Sequence, residues 1–592
     1  MMLSSFTGRQ WIDRIARWCV SAVGYSVMLA LAMIFIFLLL QVAPLFSKAS
    51  ITPLAKEDTV ASSFRLLGSV VDDAENSTRQ AQHALKLHRP VDFVLSTADT
   101  LFLLERDGRY RWLSHQGTDS RRLLSSGQLD IAEITAATMS PTGQTLLVAS
   151  VDGRIHPYTL LHQELIAMQP IATSGTQIQQ LLVQASTRSV VSLDDSDTIR
   201  LFHIASGREL AHYHWDKHPN SLMQLSEDEQ YLQLTAGTMR QVVKLHNPHP
   251  EASWRQLVRP VHYEGRRSAD YVWQSSTVSD NTEAKLSLVP LTIGTLKAAW
   301  YAMLFATPLA IFAAAYTAFF APVSWRYRIK AVMEVLESLP TVILGFLAAF
   351  LLAPWLELHL LLFLGSLIIV PVTIMLGSCG WFYWRKKQQY GTDQPSWWLV
   401  LLSLLTGVVL TTMLVSNAET YLFHGDFLSW LANRGIDYQQ RNSLIIGIAM
   451  GIAVIPTIFS LTDEAIYHVP TSLTQGVIAL GASRWQALST LILPVAAPGI
   501  LAACLLGLGR ALGETMILLM ATGNTPLLGF DPFQGMRTLT ATLAIEAPEA
   551  SLESAHFRVL VLAALLLMIL TFVVNTLVTL LRQRLRHRYL QL

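Results

Sequence analysis

Charged side chains are scarce in this sequence of 592 residues, since Asp, Glu, Lys and Arg make up only 14% of it. Globular domains carry about 25% charged residues, so a large part of the chain does not face water. The 43 Lys and Arg residues balance 42 Asp and Glu residues, which excludes a generally basic nucleic-acid-binding protein. The three cysteines, Cys19, Cys379 and Cys504, all lie in apolar segments, which excludes a disulfide-rich secreted fold. This composition predicts a membrane protein with a sizeable soluble domain.

Motifs for nucleotide binding and catalysis are also missing. The sequence has no G-x-x-x-x-G-K-[ST] motif, so we expect no ATP bound by a P-loop, and it has no G-x-S-x-G or H-E-x-x-H sequence. GLGRALG at 507–513 lies in an apolar helical segment and lacks the preceding strand of a dinucleotide-binding site. We therefore predict no catalytic constellation, no enzyme activity and no cofactor.

Eight apolar segments approach or exceed the roughly 20 residues that a membrane-spanning helix needs. Charged residues concentrate between 48 and 290, and the joints between the other segments are short. The predicted spans are about 20–45, 292–321, 331–353, 358–384, 396–416, 442–462, 497–522 and 558–581.

Lys and Arg clusters predict the orientation of these spans. They lie near the N-terminus and at 325–330, 384–387 and 582–588, and all face the cytoplasm if the chain starts inside and crosses eight times. The first apolar run could belong to a signal peptide, but it exceeds the usual length of about 7–15 residues, so we predict a retained anchor in residues 1–46. Residues 47–286 then lie outside.

The outer segment, 47–286, has a weak internal repeat with a period of about 45 residues. DGRYRWLS (107–114), DGRIHPYT (152–159), DTIRLFHI (197–204) and TMRQVVKL (238–245) each combine a turn with alternating apolar residues, which is typical of a strand. This period indicates a β-propeller. Four units are visible and the segment could hold more, and a β-sandwich is the alternative. We predict an all-β, propeller-like domain.

Two smaller features lie in the same segment. We expect a short helix over 71–88. In HYHWDKH, His212 and His214 would share one face of a strand and His218 follows, so a metal site is conceivable. No Cys or carboxylate partner stands out, and an exposed strand and turn explain the pattern as well. We predict no metal site.

The cytoplasmic segment 463–496 is amphipathic, and Gly481 separates two short helical stretches, 471–480 and 482–491. A helix–Gly–helix unit between two spans suits docking into a groove on a soluble partner. A plain interfacial helix is the alternative. The residues expected at the groove are Leu480, Trp485 and Leu488, with Arg484 at its rim.

The same segment resembles the coupling or "EAA" loop of ABC importer permeases. Gly481, Leu491, Leu493 and Pro494 match its pattern G-x9-[IL]-x-LP. The usual Glu is replaced by Gln475, which weakens the ion-pair part of docking. The resemblance implies contact with an ATPase subunit. The loop residues it singles out are Gln475, Gly481, Ala482, Arg484, Trp485, Leu493 and Pro494.

GRALGETMILLMATGN at 509–524 resembles the phosphate-specific transport (Pst) permeases of the PstC-like branch. Four further segments are similar to that family: 287–296, 334–346, 455–470 and 537–546. The resemblance covers about 285–355 and 440–582 and implies an ABC importer permease fold for 287–592. It assigns structural roles to Pro340, Pro456, Gly509 and Gly513.

Three departures from this family stand out. The outer domain replaces a short loop, residues 358–416 look like an inserted pair of spans, and Glu337 is not expected at its position. A pair of spans preserves the topology while raising the usual six spans to eight. We therefore predict a long form of the PstC-like permease.

Arg510 is the strongest candidate for contact with a substrate. It lies about thirteen residues into the predicted span 497–522, where an ionisable residue costs about 2.5–3.5 kcal/mol and is functional by default. Glu514 follows four residues later, so we expect both side chains on one helix face. We predict that Arg510 pairs with Glu514 at rest and exchanges to phosphate, whose oxygens match a guanidinium group. A structural ion pair is the alternative, and Thr515 and Thr295 are further candidate donors.

The resemblance implies a permease subunit of an ATP-driven phosphate importer in a bacterial inner membrane. Its expected partners are ABC ATPase subunits, a second PstA-like permease subunit, a periplasmic phosphate-binding protein and membrane lipid, and we expect no nucleic acid. A permease for sulfate, molybdate or phosphonate is one alternative. The other is a membrane-anchored propeller scaffold or sensor.

Overall fold

The computed structural model of the protein describes most of the chain. The described ranges are 4–54, 91–96, 100–116, 120–140, 143–161, 164–173, 176–184, 187–215, 221–237, 239–263, 266–275, 284–388 and 397–589. The chain divides into two compact units, Met1–Val289 with Glu549–Leu565, and Pro290–Pro548 with Leu566–Leu592. The helix predicted over 71–88 lies outside the described residues.

The first unit begins with a long helix, α1 (Ser4–Val42), which continues into a 3₁₀ turn at Ala43–Phe46. Large apolar side chains such as Trp18 and Leu40 are exposed along it. An apolar helix of this length suits a lipid environment, as the predicted anchor requires.

The β region consists of antiparallel sheets of four or five strands that follow one another along the chain. One strand, β1 (Ser50–Pro53), precedes these sheets and joins the last sheet beside β17 (Met239–His246). The first sheet contains β2 (Phe93–Ser96), β3 (Thr100–Leu104), β4 (Arg109–Gln116) and β5 (Ser120–Gln128). The second contains β6 (Ile134–Met139), β7 (Thr145–Ser150), β8 (Arg154–Leu161), β9 (Glu164–Ala167) and β10 (Ile171–Ala172). The third contains β11 (Ile178–Gln184), β12 (Ser189–Asp194), β13 (Thr198–His203) and β14 (Glu209–His214). The fourth contains β15 (Leu222–Leu225), β16 (Tyr231–Ala236), β17 (Met239–His246) and β1.

The repeated sequences mark equivalent tight turns of these sheets. A residue with positive φ stands in each turn, directly before the strand or one residue further away. These residues are Gly108 before β4, Gly153 before β8, Asp197 before β13 and Gly237 before β17. Glycine adopts this conformation without steric cost, and Asp tolerates it better than most residues. The predicted all-β region is confirmed, whereas closure of its sheets into a propeller stays a prediction.

Apolar side chains fill the space between successive sheets. Phe102, Ile134 and Leu146 belong to a cluster formed by the first and second sheets. Phe202 and Ile155 belong to the cluster of the second and third. A short helix, α2 (Trp254–Val258), and the two-stranded pair β18 (Trp273–Gln274) and β19 (Lys285–Leu286) follow the fourth sheet.

The described residues from 289 onwards are mainly helical. Their helices are α3 (Val289–Ala315), α4 (Val323–Glu337), α5 (Thr341–Leu347), α6 (Ala353–Leu358), α7 (Leu360–Gln388), α8 (Trp397–Phe423), α9 (Phe427–Ala432), α10 (Ser443–Tyr467), α11 (Thr471–Ala479), α12 (Arg484–Ala487), α13 (Leu493–Gly513), α14 (Met516–Ala521), α15 (Leu539–Glu546) and α16 (Ala555–Tyr589). Short π-helical turns at Tyr316–Phe320, Ala348–Leu352 and Leu488–Ile492 extend α3 and join α5 to α6 and α12 to α13.

Eight helical stretches in the described part of the chain are long and apolar enough to cross a membrane, as predicted. Two differ most from their predicted boundaries. The third begins at Thr341, because residues 331–337 belong to the separate, more polar helix α4. The seventh runs over Arg484–Gly513, because the helix stops at Gly513 and Glu514 has extended backbone angles.

Helix α10 lies in the core of the second unit, and 67% of its spanning window is buried. Its neighbours approach closely through small residues. Gly507 of α13 faces Val454 and Ile458 of α10, and a Cβ on Gly507 would lie 2.6 Å from Ile458 Cγ1. Small residues permit such close helix approach in membranes.

The segment predicted as an inserted pair of spans forms the helical hairpin α7–α8. Its two helices pack on each other where Gly377 meets Ser403 and Gly407 meets Thr373. Only 6% of the α7 spanning window is buried. The hairpin is therefore peripheral within this chain.

Candidate functional site

Arg510 belongs to a cluster of three polar side chains from three helices. Its Nη1 atom lies 3.1 Å from Glu337 Oε1 and 2.6 Å from Thr457 Oγ1. The Thr457 hydroxyl also lies 3.0 Å from Glu337 Oε1. The Arg510 and Glu337 side chains are 33% and 40% exposed, so the cluster is open to small solutes.

Local sequence explains how these side chains reach one place. Glu337 is the last residue of α4, and Pro340 stands at the N-cap of α5. The residue before a proline disfavours the helical conformation, so α4 ends before Pro340. Glu337 therefore lies at the C-terminal end of α4. Thr457 follows the buried Pro456 inside α10, and Arg510 lies in the last turn of α13. Pro340 and Pro456 thus shape the backbone beside the cluster.

The predicted pairing of Arg510 with Glu514 is wrong. The helix ends at Gly513, so the four-residue spacing does not place both side chains on one face. Glu514 Oε1 instead accepts from the backbone N–H groups of Thr515 and Met516, both at 3.2 Å. Arg510 lies near the end of its helix, not in the middle of a span over 497–522.

The two candidate threonines serve local contacts. Thr295 is buried, donates to Leu291 O at 2.8 Å and accepts from Leu539 N at 3.0 Å. Its hydroxyl is therefore engaged in a structural contact, and its predicted role as an anion donor stays a prediction. The Thr515 hydroxyl lies 3.3 Å from Gly513 O and is half-buried near Glu514.

Gly509 and Gly513, to which the resemblance assigns structural roles, have different surroundings. A Cβ on Gly509 would lie 3.1 Å from Asn575 Oδ1 of α16, which is a tight helix contact. No atom of the described residues lies within 4 Å of a Cβ on Gly513, which stands at the end of α13 beside Glu514. Close packing of α13 within the described residues therefore involves Gly509 and Gly507.

The segment 463–496 forms a helix and a sharp break, as expected. Helix α11 ends at Ala479, and Gly481 adopts φ +92°. Ser483 then caps α12 through Gln486 N, while the Gln486 side chain accepts from Ser483 N. The second helical stretch is not isolated, because it continues through Leu488–Ile492 into α13.

Exposed apolar side chains flank this break. Leu480 is 89% exposed and Trp485 is 61% exposed. Leu488, which we predicted at the groove, is buried against other residues of the same unit. Gln475, Gly481, Arg484 and Pro494 are exposed, whereas Ala482 and Leu493 are half-buried.

An ion pair anchors the end of α10 from which this segment departs. Arg326 Nη2 of α4 lies 2.8 Å from Asp463 Oδ2, and the Asp463 side chain is only 2% exposed. The Arg326 guanidinium carbon lies 3.6 Å from the centroid of the Tyr467 ring. Arg326 thereby holds two side chains of the last turns of α10.

The histidines of the β region have separate partners. His212 Nδ1 lies 3.0 Å from Glu209 Oε1, and His214 Nδ1 lies 3.1 Å from Thr198 Oγ1. His218 lies outside the described residues. Within the described residues, no group of three or more His, Cys, Asp or Glu side chains could hold a metal ion.

Comparison with known proteins gives the helical part of the chain a family. Residues 306–587 match the family described as "Binding-protein-dependent transport system inner membrane component". Together with eight candidate spans, the match identifies a multi-pass protein of a bacterial inner membrane and an ABC importer permease subunit.

Relatives narrow the resemblance to PstC-like permeases. The chain is 27% identical to "Phosphate transport system permease protein PstC 1" of Mycobacterium tuberculosis over 292 residues, which cover 48% of this chain and 69% of the relative. It is 28% identical to PstC of Xylella fastidiosa over 313 residues, or 53% and 79% of the two chains. It is 33% identical to "Probable ABC transporter permease protein YqgH" of Bacillus subtilis over 144 residues, or 24% and 47%. The PstC-like permease expected from the sequence is confirmed.

The sequence did not reveal Thr457 or Glu337 as partners of Arg510. Glu337 gave one signal, because it departs from the pattern of the segment that contains it. Thr457 gave none, since a polar threonine is common in spanning helices. Their meeting depends on the packing of α4, α10 and α13.

Proposed function

We propose that this chain is the permease subunit of an ATP-driven importer of inorganic phosphate, and that Arg510 contacts the anion during passage. The observation that carries the proposal is the accessible Arg510 cluster at the meeting point of three helices. A guanidinium group keeps its charge and matches phosphate oxygens with two parallel N–H donors. The names of the PstC relatives support phosphate as the anion.

The segment 463–496 is proposed as the contact with an ATPase subunit. Leu480 and Trp485 supply exposed apolar side chains on both sides of the Gly481 break, which suits insertion into a groove. The segment continues directly from α10, which carries Thr457 of the anion cluster, and the Arg326–Asp463 pair would pass its movement on to α4, which carries Glu337.

The proposed assembly contains two ATPase subunits, a PstA-like second permease and a periplasmic phosphate-binding protein. A PstA of Mycobacterium leprae is 30% identical to the chain over 149 residues, or 25% of this chain and 48% of that protein. This similarity supports pairing of two permeases with related folds. The β region, proposed to lie in the periplasm, is available there for docking of the binding protein.

Uptake of radiolabelled phosphate by cells that express the complete transporter tests the proposal. Arg510→Ala should abolish uptake at normal membrane levels, while Arg328→Ala, which removes an exposed arginine on α4, should retain it. Excess sulfate should not compete. Unchanged uptake in Arg510→Ala would remove this arginine from the path, and competition by sulfate would indicate a different oxyanion.

Trp485→Ala tests the coupling segment. It should lower both uptake and transport-dependent ATP hydrolysis, because an exposed aromatic anchor is lost from the contact. A membrane-anchored scaffold would instead retain its partner binding and show no phosphate uptake in the wild type.

A further inference from the structure

Glu337 binds the Arg510 guanidinium group in the way that a transported anion would. Its carboxylate oxygen Oε1 lies 3.1 Å from Arg510 Nη1 and 3.0 Å from the Thr457 hydroxyl. Carboxylate and phosphate oxygens bind a guanidinium group through the same N–H donors. The two anions therefore compete for one cation.

We propose that Glu337 is a built-in competing anion, which holds Arg510 between transport events and weakens binding of the transported anion there. This inference rests on the proposed function of Arg510. It goes beyond that function, because it assigns to Glu337 the control of how tightly and for how long the anion is held.

The exposure of Arg510 and Glu337 allows the transported anion to replace the Glu337 carboxylate. Arg510 is 33% exposed and Glu337 is 40% exposed, and ion pairs that water reaches are weak. Both contacts of Arg510 described above use Nη1, whereas a guanidinium group carries five N–H donors. An oxyanion with two negative charges can thus approach the same group and displace the carboxylate.

The position of Glu337 allows it to withdraw without unfolding a helix. It is the terminal residue of α4 and precedes the break at Pro340. The displaced carboxylate still has the Thr457 hydroxyl as a donor on α10. Its charge then remains close to the bound anion, and like charges at short distance favour release.

Helix α4 supplies a matched control. Glu334 lies one turn before Glu337, carries the same carboxylate and has an exposed side chain. A general effect of negative charge on α4 would appear equally in Glu334→Gln and Glu337→Gln. Competition for Arg510 would appear only in Glu337→Gln.

The test is equilibrium binding of radiolabelled inorganic phosphate to the purified membrane complex, with all permease and ATPase subunits and without the soluble binding protein. Glu337→Gln should lower the Kd for phosphate about threefold and slow its release, as expected for loss of a weak competing ion pair. Glu334→Gln should keep the wild-type Kd. Glu337→Asp, with the same charge and a shorter reach, should give a Kd between those of the wild type and Glu337→Gln.

Each outcome separates the inference from the function on which it rests. If Arg510→Ala abolishes binding but Glu337→Gln matches Glu334→Gln, the competing-anion role is wrong and the role of Arg510 stands. Weaker binding in Glu337→Gln would also overturn the inference, since Glu337 would then position Arg510 for the anion. If Arg510→Ala binds phosphate like the wild type, the proposed function itself fails. If Glu337→Gln does not assemble, a Kd in Glu337→Asp at or above the wild-type value overturns the inference.

Discussion

The β region and the membrane helices bury different kinds of residue. The cores between the sheets consist largely of Leu, Ile, Val and Phe, such as Leu201 and Phe202. The core of the helical unit is rich in alanine, with Ala302, Ala306 and Ala310 along one face of α3. Removing large apolar side chains from water stabilises a soluble fold, whereas lipid gives no such gain and favours small residues that let helices approach. We therefore expect a different kind of substitution to destabilise each core.

The largest expected effect is a cavity in the β region. Phe202 is fully buried, and Phe202→Ala should destabilise the region by about 3–5 kcal/mol. Thermal unfolding of the full-length protein, followed by proteolysis of the β region, measures this change. Leu123→Ala on β5 removes an exposed apolar side chain and should shift the midpoint little. Equal effects of the two substitutions would contradict the burial contrast.

The second prediction concerns a buried charge in the helical unit. Arg326→Ala leaves the Asp463 carboxylate buried without this guanidinium partner, at a cost of about 3 kcal/mol. We expect a lower unfolding temperature of the purified complex and reduced coupling of ATP hydrolysis to uptake. Arg328→Ala, whose side chain is exposed, is the matched control. Normal stability and coupling in Arg326→Ala would show that the pair does not fix the end of α10.

The third prediction is that added volume breaks the membrane core. Gly507→Leu would place side-chain atoms against Ile458 and Val454 and should cost about 1–3 kcal/mol. Gly380→Leu on α7 adds the same volume where no atom in the described part of the chain lies within 4 Å of the new Cβ, so it should be tolerated. Membrane levels and uptake measured for both variants give the comparison. A larger loss with Gly380→Leu would mean that another chain packs on the hairpin.

The smallest expected effect is a pH dependence of the β region. Burial lowers the pKa of His203 from 6.5 to about 3. The unfolded chain then binds a proton at mildly acidic pH that the folded chain does not, so this contribution is complete above about pH 7 and is lost as the pH falls from 6.5 towards 3. Between pH 7.5 and 6 the loss should be about 0.8 kcal/mol.

Unfolding midpoints across this pH range in the wild type and His203→Gln measure that contribution. The variant should lack the acid sensitivity that His203 supplies, while His212→Gln, at an exposed position, should retain it. An identical pH dependence in the wild type and His203→Gln would exclude His203 as its source.

Much of the fold could be predicted because its signals are local. Apolar segments near 20 residues in length predict spans, and the repeated turns before β4, β8 and β13 predict the sheets. Gly481 predicted the break between α11 and α12, because glycine adopts a positive φ more easily than other residues. Boundaries were less accurate where a short polar helix adjoins a span, as at α4, and where a helix stops inside an apolar run, as at Gly513.

The sequence by itself determined the membrane class, the number of spans, the all-β region and Arg510 as the unusual cation. Each follows from composition or from spacing along one segment. Only the tertiary structure decided the partner of Arg510, because Glu337 and Thr457 lie 173 and 53 residues away along the chain. Because α13 ends at Gly513, Glu514 accepts from the backbone N–H groups of Thr515 and Met516. Ion pairs between helices depend on packing and on where each helix ends, and neither is encoded in the spacing of a single motif.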